Sequence, residues 1–454
     1  MKLNLFLITT GFVFSISVQA QPDSRILEEF EEWIETSAYE ITETSLDASS
    51  SDLAPIERMI GDARIIGLSE GLHSPAEPLV FRNRLFKYLV EELGFKAIVI
   101  ESGIVESKVL NDYAIGSEDS LENSLLNGIS YGFDQLQGNH SLLRWIRNHN
   151  DSLPDGEQKV QIFGMDVSGS PPGLVTTRKP DAPLRYTLEY LDSVDATSAE
   201  QFRERIDPLL PILASGNGYG MLSQSERDGL TASIEDMISL VARRKLEYIA
   251  VSSEYDYLWG ERAAIAARQT DSWFRRMPLE WTPSGDYTWT AESQNIRDRT
   301  MAENFDWVLD QLNSTDRVLV FASVNHMAAE QHELPHYLVD EGQRQYKRTP
   351  FGYYAKTKYG EDFTNILNVV GSGEIKPCFQ PGAIPIAMEV PRPDWIDARF
   401  HDHSMDEYFI DLRDAPERVS NWLSEVREQR NARISALGSF DIVYYVAKFT
   451  HDCL

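Results

Sequence analysis

The stretch "IIGLSEGLHS", residues 65–74, has two readings, and each leads to a different fold. Gly67-Leu68-Ser69-Glu70-Gly71 spells G-x-S-x-G, the strand-to-helix elbow that presents a serine nucleophile. In the other reading Glu70 and His73, three residues apart, are the reactive pair and Ser69 is a bystander. An elbow draws its oxyanion loop from an earlier strand. The sequence ahead of Ala63 is short and mostly helical, with no such strand and no HGGG-type loop. A three-point pattern also arises readily by chance. The Glu/His reading therefore leads.

Working outward, "ARIIGL" (63–68) is a short apolar run that ends in a polar loop, which predicts a strand. "PLVFRNRLFKYLVEELGF" (78–95) places Leu85, Phe86, Leu89, Val90 and Leu93 on one helical face, with Gly94 as the stop signal. "KAIVIESG" (96–103) is short and β-branched, a second buried strand. Strand, helix and strand at this spacing form a βαβ unit and predict a parallel sheet. The alternation recurs with "QKVQIFGMD" (158–166), "RVLVFASVNHMAAEQ" (317–331), "DFTNILNVV" and "FDIVYYVAKF" as further strands. The expected fold class is α/β, a mostly parallel central sheet flanked by helices. A large helical insertion over about 181–312 is expected to form a cap or second lobe.

In open α/β sheets ligands bind outside the carboxyl ends of the strands. The first predicted strand ends in Ser69, Glu70 and His73, the second in Glu101, the third in Asp166, and the fourth in Ser323, Asn325 and His326. Two of only nine histidines fall among these ends. The expected catalytic set is His73, Glu70, Glu101, Arg82 and His326, with Asp166, Ser323 and Asn325 as substrate-binding residues. An imidazole titrates near neutrality and suits a general base acting on water. A carboxylate beside it orients the ring and stabilises the imidazolium that forms. Arg82, on the helix after the loop, can meet a substrate oxygen or an oxyanion, or can be a salt-bridged neighbour of Arg84.

The formal net charge of -29 excludes nucleic acid and anionic membrane as natural partners, because both need a basic face. "MKLNLFLITTGFVFSISVQA" carries Lys2, an apolar run from Leu5 to Val18 and small residues at Val18 and Ala20, which reads as a signal peptide cleaved after Ala20. The run is too short and interrupted to span a bilayer. The expected mature chain, 21–454, is one hydrolytic domain in the periplasm or the medium, with a small-molecule substrate as its partner and no membrane contact after cleavage. The two cysteines, Cys378 and Cys453, either pair there or remain separate thiols.

These residues resemble the erythromycin esterase family. That family opens with a G-E-x-x-H-G loop, continues with an Arg-bearing helix ending L-V-E-E-L-G-F, and then has a strand ending in Glu. The corresponding stretches here are "GLSEGLHS", "FRNRLFKYLVEELGF" and "KAIVIESG". The likeness runs on through "LLRWIRNHN", "IFGMD", "RDRTMAENFDWVL", "VLVFASVNHMA", "PFGYYAKTKYG" and "FDIVYYV", roughly residues 27–449. It implies an ester hydrolase, in some members acting on a macrolide lactone, that requires no metal or other cofactor. His73 would activate water, Glu70 and Glu101 would orient it or the substrate, and Arg82 would assist. Two positions depart from the family. Ser69 stands at a usual glycine, so G-x-S-x-G arises here inside another motif. Ala322-Ser323-Val324-Asn325-His326 stands where A-H-N-x-H is common, so one histidine is replaced.

Two other functions use the same residues. Glu70, His73, Glu101, Asp166 and His326 offer a carboxylate-rich shell to a metal-dependent hydrolase, although no compact H-E-x-x-H motif is present. An exported ligand-binding protein without turnover would also keep the cleft.

Overall fold

A computed structural model of the chain describes residues 24–169, 179–215, 218–276, 291–333, 347–378, 382–401, 403–430 and 432–454. The predicted signal peptide lies outside the described residues.

The strands, in chain order, are β1 (Tyr39–Glu40), β2 (Ile65–Glu70), β3 (Ala97–Gly103), β4 (Gln161–Asp166), β5 (Val318–Ser323), β6 (Phe363–Ile375), β7 (Ile386–Met388), β8 (Glu407–Asp411), β9 (Arg427–Gln429), β10 (Ala432–Ile434) and β11 (Ile442–Phe449). Nine of them make one sheet in the order β1-β8-β11-β6-β2-β5-β3-β4, with β7 paired to β6; β9 and β10 form a separate ribbon. From β11 to β4 every pairing is parallel. β1, β8 and β7 join antiparallel. The sheet is thus mixed and mostly parallel, as expected. The antiparallel margin was not read from the sequence, because "EYFID" at β8 is too short to stand out.

All six residues of β2 are buried, as a strand with neighbours on both sides and layers on both faces requires. Alternate residues supply two cores. Ile65, Val99, Val320 and Leu367 pack beneath the helices Ser24–Ser37, Glu254–Phe274, Ala291–Asp310 and Phe351–Tyr359. Ile66, Ile98, Phe321 and Ile366 pack beneath Pro55–Ile60, Ala76–Leu93, Ser107–Ile115 and Gln137–Ser152. The helix Ala76–Leu93 ends at Gly94 in the left-handed region (φ 71°), the conformation that makes glycine the usual stop.

Between Asp181 and Phe274 the described residues are mostly helical, with a core of their own that includes Leu188, Phe202, Ile234, Met237 and Tyr257. The helix Ala291–Asp310 belongs instead to the sheet layer, where Met301, Phe305 and Val308 join the core under β5.

β2 and β3, consecutive in sequence, are not neighbours. β5 lies between them, so Glu70 pairs in register with Ser323. This order sets four strand ends, β2, β5, β3 and β4, side by side along one edge.

Candidate active site

The first strand end settles the role of the serine. Ser69 lies within β2 and is buried, and its Oγ accepts a hydrogen bond from the Asn368 N–H at 2.9 Å. It ties β2 to β6 and offers no nucleophile. The two glycines of the G-x-S-x-G pattern are packing positions. A Cβ on Gly67 would lie 2.5 Å from Asn365 Oδ1 and from the Met327 methyl; one on Gly71 would lie 2.9 Å from the Asn368 carbonyl. No strand-to-helix elbow follows Ser69, because β2 continues through Glu70.

Past Glu70 the chain leaves the sheet and folds back, so that His73 Nδ1 lies 2.5 Å from Glu70 Oε2. Glu70 is buried, whereas the His73 side chain keeps 42% of its exposure. Burial works against charge on the ring, but Glu70, by charge and hydrogen bond, and Glu101 outweigh it and push the His73 pKa up to about 9; Arg297 opposes them. Solvent at the open side of the ring screens this field, which trims the rise and leaves its direction. With Nδ1 committed to Glu70, Nε2 is the nitrogen left for chemistry. The Phe133 ring stands 5.2 Å from the imidazole, centre to centre. Ser74, next in the chain, holds a left-handed backbone (φ 84°) that costs a non-glycine residue about 1–3 kcal/mol. Tyr131, two residues before Phe133, is likewise left-handed (φ 67°).

The second group is built on β3, β4 and β5. β3 and β4 shift register between Ile100 and Gly103, and Glu101 sits in that bulge. Bulges re-aim side chains beside functional sites. Gly164 on β4 makes room for it, since a Cβ there would lie 2.4 Å from the Ser102 carbonyl. Glu101 Oε2 accepts the Ser323 N–H at 2.8 Å. Its Oε1 accepts from Arg297 Nη2 at 2.7 Å and lies 3.4 Å from His326 Nε2. Burial would raise the Glu101 pKa, but His326, Arg297 and His73 hold it well below the usual carboxylate range. Arg297 also binds Asp166 Oδ2 at 2.6 Å, and the Tyr131 hydroxyl donates to the same oxygen at 2.6 Å. Burial disfavours the guanidinium charge, and the carboxylates of Asp166 and Glu101 more than restore it, so Arg297 stays charged.

Behind these residues His326 Nδ1 lies 2.5 Å from Asp298 Oδ1, and Arg348 Nε donates to Asp298 Oδ2 at 2.9 Å. His326 and Asp298 are 2% and 0% exposed. Burial opposes the Asp298 charge, yet Arg348 and His326 hold its pKa down to about 2.

Of the expected catalytic residues, the fold brings together Glu70, His73, Glu101 and His326. Arg82 sits behind the loop. Its guanidinium donates to Asn83 Oδ1 at 2.8 and 3.0 Å, to Asn139 Oδ1 at 2.9 Å and to the Gly138 carbonyl at 3.3 Å, and lies 4.8 Å above the Phe321 ring. Burial lowers its pKa to about 10, against the pull of Glu70 and Asp452. Asp166 is fully buried and anchors Arg297 and the Val167 N–H, so it presents no surface to a substrate. Ser323 is half-buried and serves through its backbone N–H. Asn325 is half-buried, with its Oδ1 buried and without a partner among the described residues. Sequence reading missed Arg297, Asp298, Tyr131 and Arg348. Among the described residues no group of three or more His, Cys, Asp or Glu side chains is placed to hold a metal ion. Cys378 and Cys453 form a disulfide.

A mixed sheet with Glu and His residues gathered on its carboxyl edge defines a class of α/β protein, and sequence comparison supplies the family. The family profile described as Erythromycin esterase matches residues 90–445. The chain belongs to the erythromycin esterase family. The matched region begins after the loop that carries Glu70 and His73. Among relatives, the erythromycin esterase type II of Escherichia coli is 26% identical over 140 residues, which cover 30% of this chain and 32% of that protein. The type I enzyme of Escherichia coli is 28% identical over 220 residues, covering 46% and 49%. The chain therefore matches half or less of the length of either esterase. A solved erythromycin esterase mutant in its open conformation superposes with a TM-score of 0.67 at 19% identity, over 91% of this chain and 98% of that one, which shows the shared fold. Membership of this family supports a hydrolase.

Proposed function

We propose that the protein is an exported hydrolase that cleaves a carboxylic ester or lactone with water activated by His73. The observation that carries this reading is the Glu70–His73 pair, a buried carboxylate 2.5 Å from a ring that alone in the cluster keeps substantial exposure. Glu70 holds the Nδ1 proton, and Nε2 takes a proton from water as the water oxygen bonds to the substrate carbonyl carbon. The imidazolium, stabilised by Glu70, then returns the proton to the departing alkoxide as the C–O bond breaks. Water is consumed, and a carboxylic acid and an alcohol are released. Glu101, Arg297 and Ser323 hold a fixed array of charge and N–H groups beside the ring. Arg82 acts from behind, through the charge that Glu70 feels.

The raised affinity of His73 for its proton makes the imidazolium the resting form at neutral pH. The base form gains population as pH rises, so turnover should climb with it. The resemblance, which sets Ser323 where the family commonly carries a histidine, leaves the ester open, and the substrate panel must reach beyond macrolides. Export rests on the signal-like segment and on the disulfide, a bond typical of oxidising compartments. A small-molecule substrate fits the acidic chain better than nucleic acid or membrane does. No helix among the described residues is long and apolar enough to cross a bilayer.

The test is a panel of chromogenic esters and macrolides assayed on wild type and His73→Ala. Wild-type turnover lost in the variant supports the reading. Full activity in His73→Ala, or a wild type that binds panel members and turns none over, defeats it.

A further inference from the structure

The segment Thr450–Leu454 is stitched to both loops that frame His73. On one side, Pro75 and His451 form an antiparallel bridge. The Asp452 N–H donates to the Ser74 carbonyl at 2.8 Å, and the Ala76 N–H to the Thr450 carbonyl at 2.8 Å. Glu77 accepts the Thr450 N–H at 2.8 Å and its hydroxyl at 3.0 Å. On the other side, Leu136 and Cys453 form a second bridge. The Gln137 N–H donates to the Asp452 carbonyl at 2.9 Å, and the Leu454 N–H to the Gln135 carbonyl at 3.1 Å. The Asp452 side chain, 7% exposed, accepts the Gly138 N–H at 2.6 Å. One five-residue strip thus joins the left-handed Ser74, which follows His73, to the Phe133–Gly138 segment, which brings Phe133 against the imidazole. The strip is fastened by the Cys378–Cys453 disulfide, whose cysteines face a groove of ≈ 190 Å³ at the surface.

We infer that Thr450–Leu454 is a positioning strap for His73, with Asp452 as its central positioning residue and the Cys378–Cys453 disulfide as its fastening. The strap touches neither substrate nor reacting atoms. It acts by fixing the distance between the His73 loop and the Phe133 loop, and with it the approach of the ring to Glu70. Its effect on turnover rests on the hydrolase reading above; its effect on the loop does not. A dithiol reductant opens the fastening by exchange: the S–S bond takes two electrons and two protons, Cys378 and Cys453 become thiols, and the reductant becomes a disulfide.

The experiment uses the full chain as wild type, dithiothreitol-treated wild type, Cys453→Ser, Asp452→Ala and Asp452→Asn. Three readouts are taken below the lowest melting temperature of the set: amide hydrogen exchange of residues 71–76 and 133–138, kcat and KM on the best ester of the panel, and the pH profile of kcat/KM. Glu70, Glu101 and Arg297 face His73 and set that profile in every variant. Expected are exchange at least tenfold faster in both segments for the reduced chain, Cys453→Ser and Asp452→Ala, kcat lowered about tenfold with KM within about twofold, and a displaced pH limb. Asp452→Asn, which keeps an acceptor for the Gly138 N–H, should recover most of the loss. Unchanged exchange at residues 71–76 in Cys453→Ser and Asp452→Ala overturns the strap. A lower melting temperature with wild-type exchange, kcat and pH profile also overturns it, since the segment would then only stabilise the fold. If His73→Ala is as active as wild type the hydrolase reading fails, and the exchange data still decide the strap.

Discussion

Two histidines in this molecule each lie 2.5 Å from a carboxylate through Nδ1, yet they live in opposite surroundings. Glu70 ends β2 and His73 stands on the loop after it, with the ring 42% exposed; His326 and Asp298 are 2% and 0% exposed. The first ring keeps an open side that a ligand or water can reach. The second is closed in by Arg348 and Glu101. Similar geometry therefore suits two ends, the proposed proton carrier in one place and a charge framework in the other. Exposure, more than hydrogen-bond length, separates them.

The comparison breaks most sharply by mutation of the exposed pair. His73→Ala should lower kcat by about 10²–10⁴-fold, the usual worth of a general base, with a smaller fall in melting temperature than the Asp298 variant below. An ester assay paired with a thermal melt measures both. The inverse belongs to the buried pair. Asp298→Ala strands Arg348 and His326 without their carboxylate and should cost about 3–5 kcal/mol of stability in a denaturant titration.

Two pH windows sharpen the contrast further. The Asp298 pKa lies below its unfolded value, so the stabilisation it supplies is complete above about pH 4 and is lost as pH falls toward about 2. Urea melts between pH 5 and pH 2 should show that loss in wild type and much less of it in Asp298→Asn. The His73 pKa lies above its unfolded value, so its stabilising contribution is present below about pH 6.5 and disappears as pH rises through about 9. Activity moves the other way, with kcat/KM climbing over that alkaline range as the ring becomes a free base. A flat profile would remove His73 from the base role. The smallest effect is reserved for Ser69→Ala. It should keep wild-type turnover and lose about 1 kcal/mol of stability, because the Asn368 N–H loses its acceptor. A serine-directed phosphonylating reagent should leave the wild type active.

The parallel core was legible because β2, β3, β4 and β5 are apolar runs with polar ends, and the same pattern pointed to Glu70, His73, Glu101 and His326. The neighbour relations were not legible. Nothing local in "KAIVIESG" or "VLVFAS" says that the later strand inserts between the two earlier ones, since pairing is decided by packing across the whole sheet. Arg297 and Asp298 went unread because "RDRTMAENFDWVL" looked like an ordinary helix. A signal was present all the same. Counting back along the buried stripe from Val308 through Phe305 and Met301, the next core-facing positions are Arg297 and Asp298, then Gln294. Charged residues in the phase of a core stripe mark a helix that faces a polar interior. Tyr131 and Arg348 had no such cue, since both lie outside the regular periodic segments.

The bond from Thr450 to Glu77 spans 373 positions of the chain. Contacts of such sequence separation form slowly, because the intervening chain must first be gathered. The loop that holds His73 is made early in synthesis and receives its hydrogen bonds to the Thr450–Leu454 segment only when residue 450 and its neighbours have been added and β11 has docked beside β6. In a refolding experiment, helix content should return ahead of turnover. On the proposed hydrolase reading, turnover would report that this assembly has finished.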